Sequence, residues 1–360
     1  MKIKSALVVV CMLIMQPIFA QNNPEASGKA KDAIRLMDQG KLEEGLKLME
    51  EAHKLDPDFL TYEYEIGYAY YSMKEYKKAI KTLEKLTRRE DVVDNVFQLI
   101  GNSYDNLGEK EKARKAYEDG LEKFPNSGAL YLEYGILELS LKQYDNAISR
   151  FEKGVEVEPK FSSNYYWLAR LFCSSTEEVW GMIYGEIFLN LEPEGRRNSE
   201  ISKLLYDKYK SEIKFTSDTS MTVSFSKNSS ISLESLKDPS KMKLPYGMSV
   251  YEPGIMVSLI NIKSINLTTL NTVRQNFVDN YFSGTTARDY PNSLFTYQKK
   301  VKDAGHMEAY NYWILRKGET VSFDSWQYSH KELWTNFMSW LEQNRYSPTA
   351  EDKFVRTQYN

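Results

Sequence analysis

Small apolar residues return along this chain with a period of 34. One series is Ala33, Gly67, Gly101, Gly135 and Ala169; a second is Gly45, Ala79, Ala113, Ala147 and Gly181. Pro57, Pro125, Pro159 and Pro193 keep the same phase, with Asp91 at the slot where a proline is missing. The pattern predicts units at 26–59, 60–93, 94–127, 128–161 and 162–195, each made of two antiparallel helices. A small residue on each helix lets the two backbones approach. Proline then ends the second helix, because it has no amide hydrogen and a fixed φ.

Past residue 195 the pattern changes. Ile201, Leu204, Leu205 and Ile213 share one helical face with lysines opposite, which predicts a capping helix over 199–213 that covers the last unit. Residues 214–254 read as a hairpin or an irregular linker. Val223, Phe225, Ile231 and Leu233 alternate around a turn at Lys227-Asn228-Ser229-Ser230, while 238–254, with three prolines and two glycines, reads as irregular. A helical C-terminal domain is expected over 255–346. Asn266 caps a helix carrying Leu270, Val273, Phe277, Val278 and Tyr281 and ended by Gly284. Pro291 opens the next helix and Gly305 ends it; a short helix follows from His306 to Leu315. One last helix over 322–344 carries the stripe Phe323, Trp326, Leu333, Trp334, Phe337, Trp340 and Leu341. Residues after Pro348 are expected to fray.

The small–small–aromatic–proline units resemble the tetratricopeptide repeat. Gly67, Tyr70 and Ala79 carry the likeness in the second unit. Ile100, Gly101, Tyr104, Ala113, Tyr117 and Pro125 carry it in the third, and Gly135, Ala147, Phe151 and Pro159 in the fourth. The fourth departs at Glu138 and the fifth at Gly185, where an aromatic is usual. The resemblance implies an all-α solenoid of about five helix-turn-helix repeats, followed here by a mainly helical C-terminal domain with a short hairpin. It also implies a binding groove lined by repeat positions 2, 5, 9, 12 and 13. On those positions stand Tyr64, Tyr68 and Tyr71, then Asn95, Gln98, Asn102 and Asn106, then an apolar patch at Leu132, Ile136 and Leu139, then Tyr166 and Arg170. Tyrosine offers apolar area with a polar tip, and amides bond peptide backbone. The alternative is that these tyrosines pack against the chain's own C-terminal region. With no lysine on an inner slot, a clamp for a terminal carboxylate is not expected. A second likeness runs through Tyr290-Pro291-Asn292, Tyr297-Gln298-Lys299-Lys300, Asp303-Ala304-Gly305-His306 and Glu308-Ala309-Tyr310-Asn311-Tyr312-Trp313. This stretch is similar to the uncharacterised helical region of exported bacterial tetratricopeptide proteins, and implies no catalytic role.

The N-terminus adds an address. Lys2 and Lys4, the apolar run Ala6 to Met15, and Ile18-Phe19-Ala20 before Gln21 read as a signal peptide over 1–20, with cleavage after Ala20. The expected location is periplasmic or extracellular, and the absence of a cysteine after the cut argues against a lipid anchor. Cys173 then stands alone as a buried small hydrophobe. The repeat half has an acidic excess and the remainder a slight basic one, and neither has the basic density of a nucleic-acid binder. His306 with Asp303 or Glu308, and Asp324 with His330, are the acid–imidazole neighbours. Neither has zinc-motif spacing, and no nucleophile elbow or phosphate loop is present. The tryptophans Trp313, Trp326, Trp334 and Trp340 are spaced as core. These readings point to an exported, non-catalytic scaffold for a protein or peptide partner, without cofactor, metal, nucleic acid or stable membrane anchor. The alternative is a glycan-binding component of the cell envelope.

Overall fold

The structure is a computed structural model that describes residues 23–217, 220–227 and 245–359. The expected signal segment lies outside these residues, as do Ile231, Leu233 and most of the expected 227–230 turn. Among the described residues the fold is helical apart from one two-stranded antiparallel sheet. The chain divides into two compact units, Met1–Leu107 and Gly108–Asn360.

The first unit contains α1 (Pro24–Asp38), α2 (Leu42–Leu55), α3 (Leu60–Ser72), α4 (Tyr76–Leu83) and α5 (Asp94–Asn106). The second begins with α6 (Lys110–Lys123), α7 (Gly128–Ser140), α8 (Tyr144–Val157), α9 (Ser162–Cys173) and α10 (Glu178–Leu191). The sequence period is thus also the period of the helix starts: Leu42, Tyr76, Lys110, Tyr144 and Glu178 open successive second helices. The small positions lie where helices cross. A Cβ on Gly67 would sit 2.6 Å from the Leu83 side chain, and one on Gly135 would enter the Phe151 ring. Only α4 is short. It lacks the closing proline, and a 3₁₀ turn over Leu86–Arg88 completes the segment, with Arg89 bonded to Asp91 and to the Asp58 carbonyl.

The first helices of the first four pairs end alike. Gly40, Lys74, Gly108 and Lys142 all have positive φ, at the same period. At Gly40, Lys74 and Lys142 the next amide reaches back to an inner carbonyl, as in Glu75 N–H to Tyr70 O (2.8 Å) and Gln143 N–H to Glu138 O (2.9 Å). This is the Schellman closure, which favours glycine at the left-handed position. Lys142 holds φ 60° with a side chain. Lys142→Gly is therefore expected to stabilise the second unit by about 1 kcal/mol, read as a higher denaturation midpoint. An unchanged or lower midpoint would contradict this account of the turn.

The expected capping helix is α11 (Arg196–Glu212), which opens where the first helix of a sixth pair would open. It buries Ile201, Leu205, Tyr206 and Tyr209. Strands β1 (Ile213–Ser217) and β2 (Ser220–Val223) follow, with Ile213 opposite Val223. The hairpin therefore lies ahead of the expected 227–230 turn. The reason is local: Phe225 is fully buried, and residues 225–227 run along the start of α10, with Val179 N–H bonded to Phe225 O at 3.1 Å.

Three further expectations are corrected. Residues 245–254 are not irregular: a π-helical turn at Gly247–Tyr251 leads into α12 (Glu252–Ser258), where Pro253 sits in the first turn and needs no amide partner. After α13 (Leu267–Ser283), capped by Asn266 as expected, comes one turn, α14 (Thr286–Asp289). Then α15 (Ser293–Asp303) starts not at Pro291 but after Asn292, whose side chain accepts from Leu294 N and Phe295 N. Beyond α16 (Met307–Leu315), the single last helix is two, α17 (Thr320–Ser329) and α18 (Lys331–Gln343). They break at His330, whose ring stacks on Trp326.

The tail is likewise docked rather than frayed. Phe354 and Val355 are buried, and Phe354 meets Tyr184 edge-on at 5.7 Å. Arg356 grips Glu152 of α8 through two 2.8 Å bonds, and its amide donates to Tyr184 Oη at 2.9 Å. At the centre of the second unit, Glu186 of α10 and Arg274 of α13 form a bidentate pair at 2.6 and 2.7 Å, both side chains buried. Gln298 (2.6 Å) and Tyr310 (2.8 Å) donate to the same carboxylate. Arg274 also donates to Asn311 Oδ1 (2.7 Å) and to Tyr209 (3.2 Å). Burial disfavours the Arg274 charge, but Glu186 together with Tyr209 and Tyr310 outweighs it and holds the guanidinium well above its ordinary pKa.

Candidate partner-binding surface

In the first unit, α3 and α5 present most of the expected groove residues. Tyr64 is half-buried; burial, then the charge of Glu65 and the neighbouring Tyr68 and Asp94, push its phenol up to about 12. Tyr68, one turn on, is 45% exposed. Tyr71 meets Tyr76 edge-on at 5.5 Å, and its hydroxyl accepts from Asn106 Nδ2 at 3.3 Å. That amide also reaches the Asn102 carbonyl at 2.7 Å, while Gln98 Nε2 donates to Asn95 Oδ1 at 3.0 Å. The tyrosines and amides are thus adjoining surfaces of neighbouring helices, with Tyr68 standing proud.

Ile34 on α1 lies outside the residues expected to line the groove. It is 40% exposed and occupies in the first repeat the slot that Tyr68 occupies in the second. The 34-residue period marks it: Ile34, Tyr68 and Asn102 are one series.

In the second unit the residues are placed differently. Tyr166 is buried; its hydroxyl donates to Glu200 of α11 at 2.9 Å and accepts from Arg170 at 3.3 Å. Arg170 pairs with Glu200 at 3.2 Å and lies over the Trp167 ring, and Arg197 lies over Tyr166. Here the chain's own α11 lies against the face, because it stacks as the next first helix. Leu132, Ile136 and Leu139 are partly buried against the same core. Cys173 is buried, and burial pushes its thiol up to about 12.

The acid–imidazole neighbours do not meet as pairs. His306 lies between Phe337 and Trp340, its ring pKa lowered by burial, and Glu308 accepts from Trp326 Nε1 at 2.8 Å. His330 Nδ1 lies 2.9 Å from both the Trp326 carbonyl and Ser329 Oγ. Trp313 and Trp326 are buried, with Trp334 and Trp340 packed beside them. Among the described residues no group of three or more His, Cys, Asp or Glu could hold a metal ion, and no helix is long and apolar enough to cross a membrane.

Paired helices, periodic turns and small crossing residues define a helical-repeat protein. Two profiles of the tetratricopeptide repeat match, over residues 36–102 and 99–164. Residues 36–164 of the chain are thus tetratricopeptide repeats. It is similar to Hsp70-Hsp90 organizing protein 3 of Arabidopsis thaliana, with 21% identity over 220 residues, 61% of this chain and 36% of that protein. It is also similar to the Hsp70-Hsp90 organizing protein of Triticum aestivum, with 22% identity over 55% of this chain and 32% of that protein. The chain therefore spans about a third of the length of these relatives. Among solved structures it is similar to Pseudomonas aeruginosa PilF (17% identity, TM-score 0.43, covering 51% of this chain and 82% of that one). It is similar also to a thermophilic tetratricopeptide-repeat protein of Thermus thermophilus (17% identity, TM-score 0.42, covering 50% of this chain and 98% of that one).

Proposed function

We propose that this protein is an exported, non-catalytic scaffold that holds a protein or peptide partner on the face built by Ile34, Tyr64, Tyr68, Tyr71, Asn95, Gln98, Asn102 and Asn106. The single observation that carries the reading is the exposure of Tyr68, a large aromatic held on a rigid helix face beside a run of side-chain amides. Aromatic anchors ringed by adaptable polar groups suit an extended segment or a helix. The relatives support it in kind, being named for organizing Hsp70 and Hsp90. In this reading Tyr166 and Arg170 serve the scaffold by holding α11. The N-terminal pattern of Lys2, Lys4 and the apolar run supports delivery to the periplasm or the exterior.

Tyr68→Ala is expected to weaken partner binding by about 2 kcal/mol while the melting temperature holds, since a few aromatic anchors dominate such contacts. The partner is recovered by crosslinking in intact cells, and its affinity is measured against both proteins. A lower melting temperature with unchanged affinity would mean instead that Tyr68 packs within the chain, and the surface would be withdrawn.

A further inference from the structure

The same face has a charge character. Its inner slots in the first three repeats carry no lysine or arginine. Asp38, one turn beyond Ile34 on α1, is exposed, and Glu65 on α3 lies one turn before Tyr68. Several neighbouring cations are engaged elsewhere: Lys29 with Glu51 (2.8 Å), Arg35 with Asp32 (2.9 Å), Lys85 with Glu63 (3.2 Å) and Lys78 with Glu75. Lys31 is the exposed base on the α1 stripe, one turn before Ile34 and two turns from Asp38, in the slot that Glu65 fills on α3.

We propose, resting on the scaffold reading above, that the partner segment is basic. A lysine or arginine lays its aliphatic stem across Ile34 and Tyr68 and sets its cation between Asp38 and Glu65. Long cationic side chains pack their stems on apolar surface and their heads on the ring face of tyrosine. The acids supply what such a head needs. Burial, then the charge of Asp38, raise the Glu65 carboxyl above its ordinary pKa, a cost that a cation placed beside it would relieve. An acidic segment would add to that cost, and no inner slot of the first three repeats offers it a base, which is the opposite of a carboxylate clamp.

The test uses the full chain and random dodecapeptides displayed on phage. Selected peptides are resynthesised with a fluorescent label and titrated against the wild type, Asp38→Asn, Glu65→Gln and Tyr68→Ala, at low and at high salt. The expected result is enrichment of Lys or Arg beside an apolar residue. Tyr68→Ala should then cost about 30-fold in affinity. Asp38→Asn and Glu65→Gln should each cost about three- to fivefold, a loss that high salt reduces. Replacing the peptide's cation by glutamine should reproduce that loss. Peptides that depend on Tyr68 but show no basic bias, and ignore Asp38→Asn and Glu65→Gln, overturn the inference and leave the scaffold reading standing. Peptides indifferent to Tyr68→Ala overturn the surface itself.

Discussion

Arg274→Met is expected to cost the second unit about 3–5 kcal/mol, because it leaves Glu186 buried and charged without its partner. Gln298 and Tyr310 can still donate to the carboxylate, but they bring no charge. The control is the double replacement Glu186→Leu with Arg274→Met. Removing both charges leaves no unpaired charge, only the neutral partners Gln298, Tyr310 and Asn311 with lost bonds, so the double variant is expected to lose less than the single one. Chemical denaturation of wild type, single and double variants measures both effects. A single variant within about 1 kcal/mol of wild type would show that water reaches this site, contrary to the burial seen here.

The second large effect is expected at the tail. Ending the chain after Pro348 removes the buried Phe354 and Val355 and strips Glu152 of Arg356. Side chains of this size contribute about 1.5–3 kcal/mol each, and an orphaned buried carboxylate costs more, so a loss on the order of 5 kcal/mol is expected. Arg356→Met in the full chain separates the terms, since it keeps the apolar contacts and loses only the pair. If truncation left the denaturation midpoint unchanged, the tail would contribute nothing to the fold.

These two sites also mark where sequence reading stops. The repeats were legible because their constraint is local and periodic: Gly67 and Gly135 are small because a neighbouring helix crosses there, and the crossing recurs. Asn266 was legible because a cap bonds amides only a few residues away. Glu186, by contrast, stands in a repeat helix as an ordinary acid, and its arginine comes 88 residues later. Glu152 and Arg356 are 204 residues apart. Phe354-Val355 is too short a run to have a period, and the polar residues around it suggest a free end. The surface divides the same way. Tyr64, Tyr68 and Tyr71 share a face by spacing alone. That Tyr166 is buried beneath Glu200 and Arg197 depends on a helix beyond the last proline of the series.

The position of α11 limits how this array can change length. It takes the place of the first helix of a sixth pair, and α16 lies on it, Ser202 Oγ donating to the Ile314 carbonyl at 2.7 Å. A repeat duplicated behind residue 195 would arrive where its stacking surface is already occupied. A whole 34-residue unit inserted at the boundary between Phe59 and Leu60 would meet the periodic neighbours it needs on either side. Duplication can therefore lengthen this array at an internal repeat boundary but not behind residue 195. The reach of its binding face can evolve without disturbing the helices that close the other end.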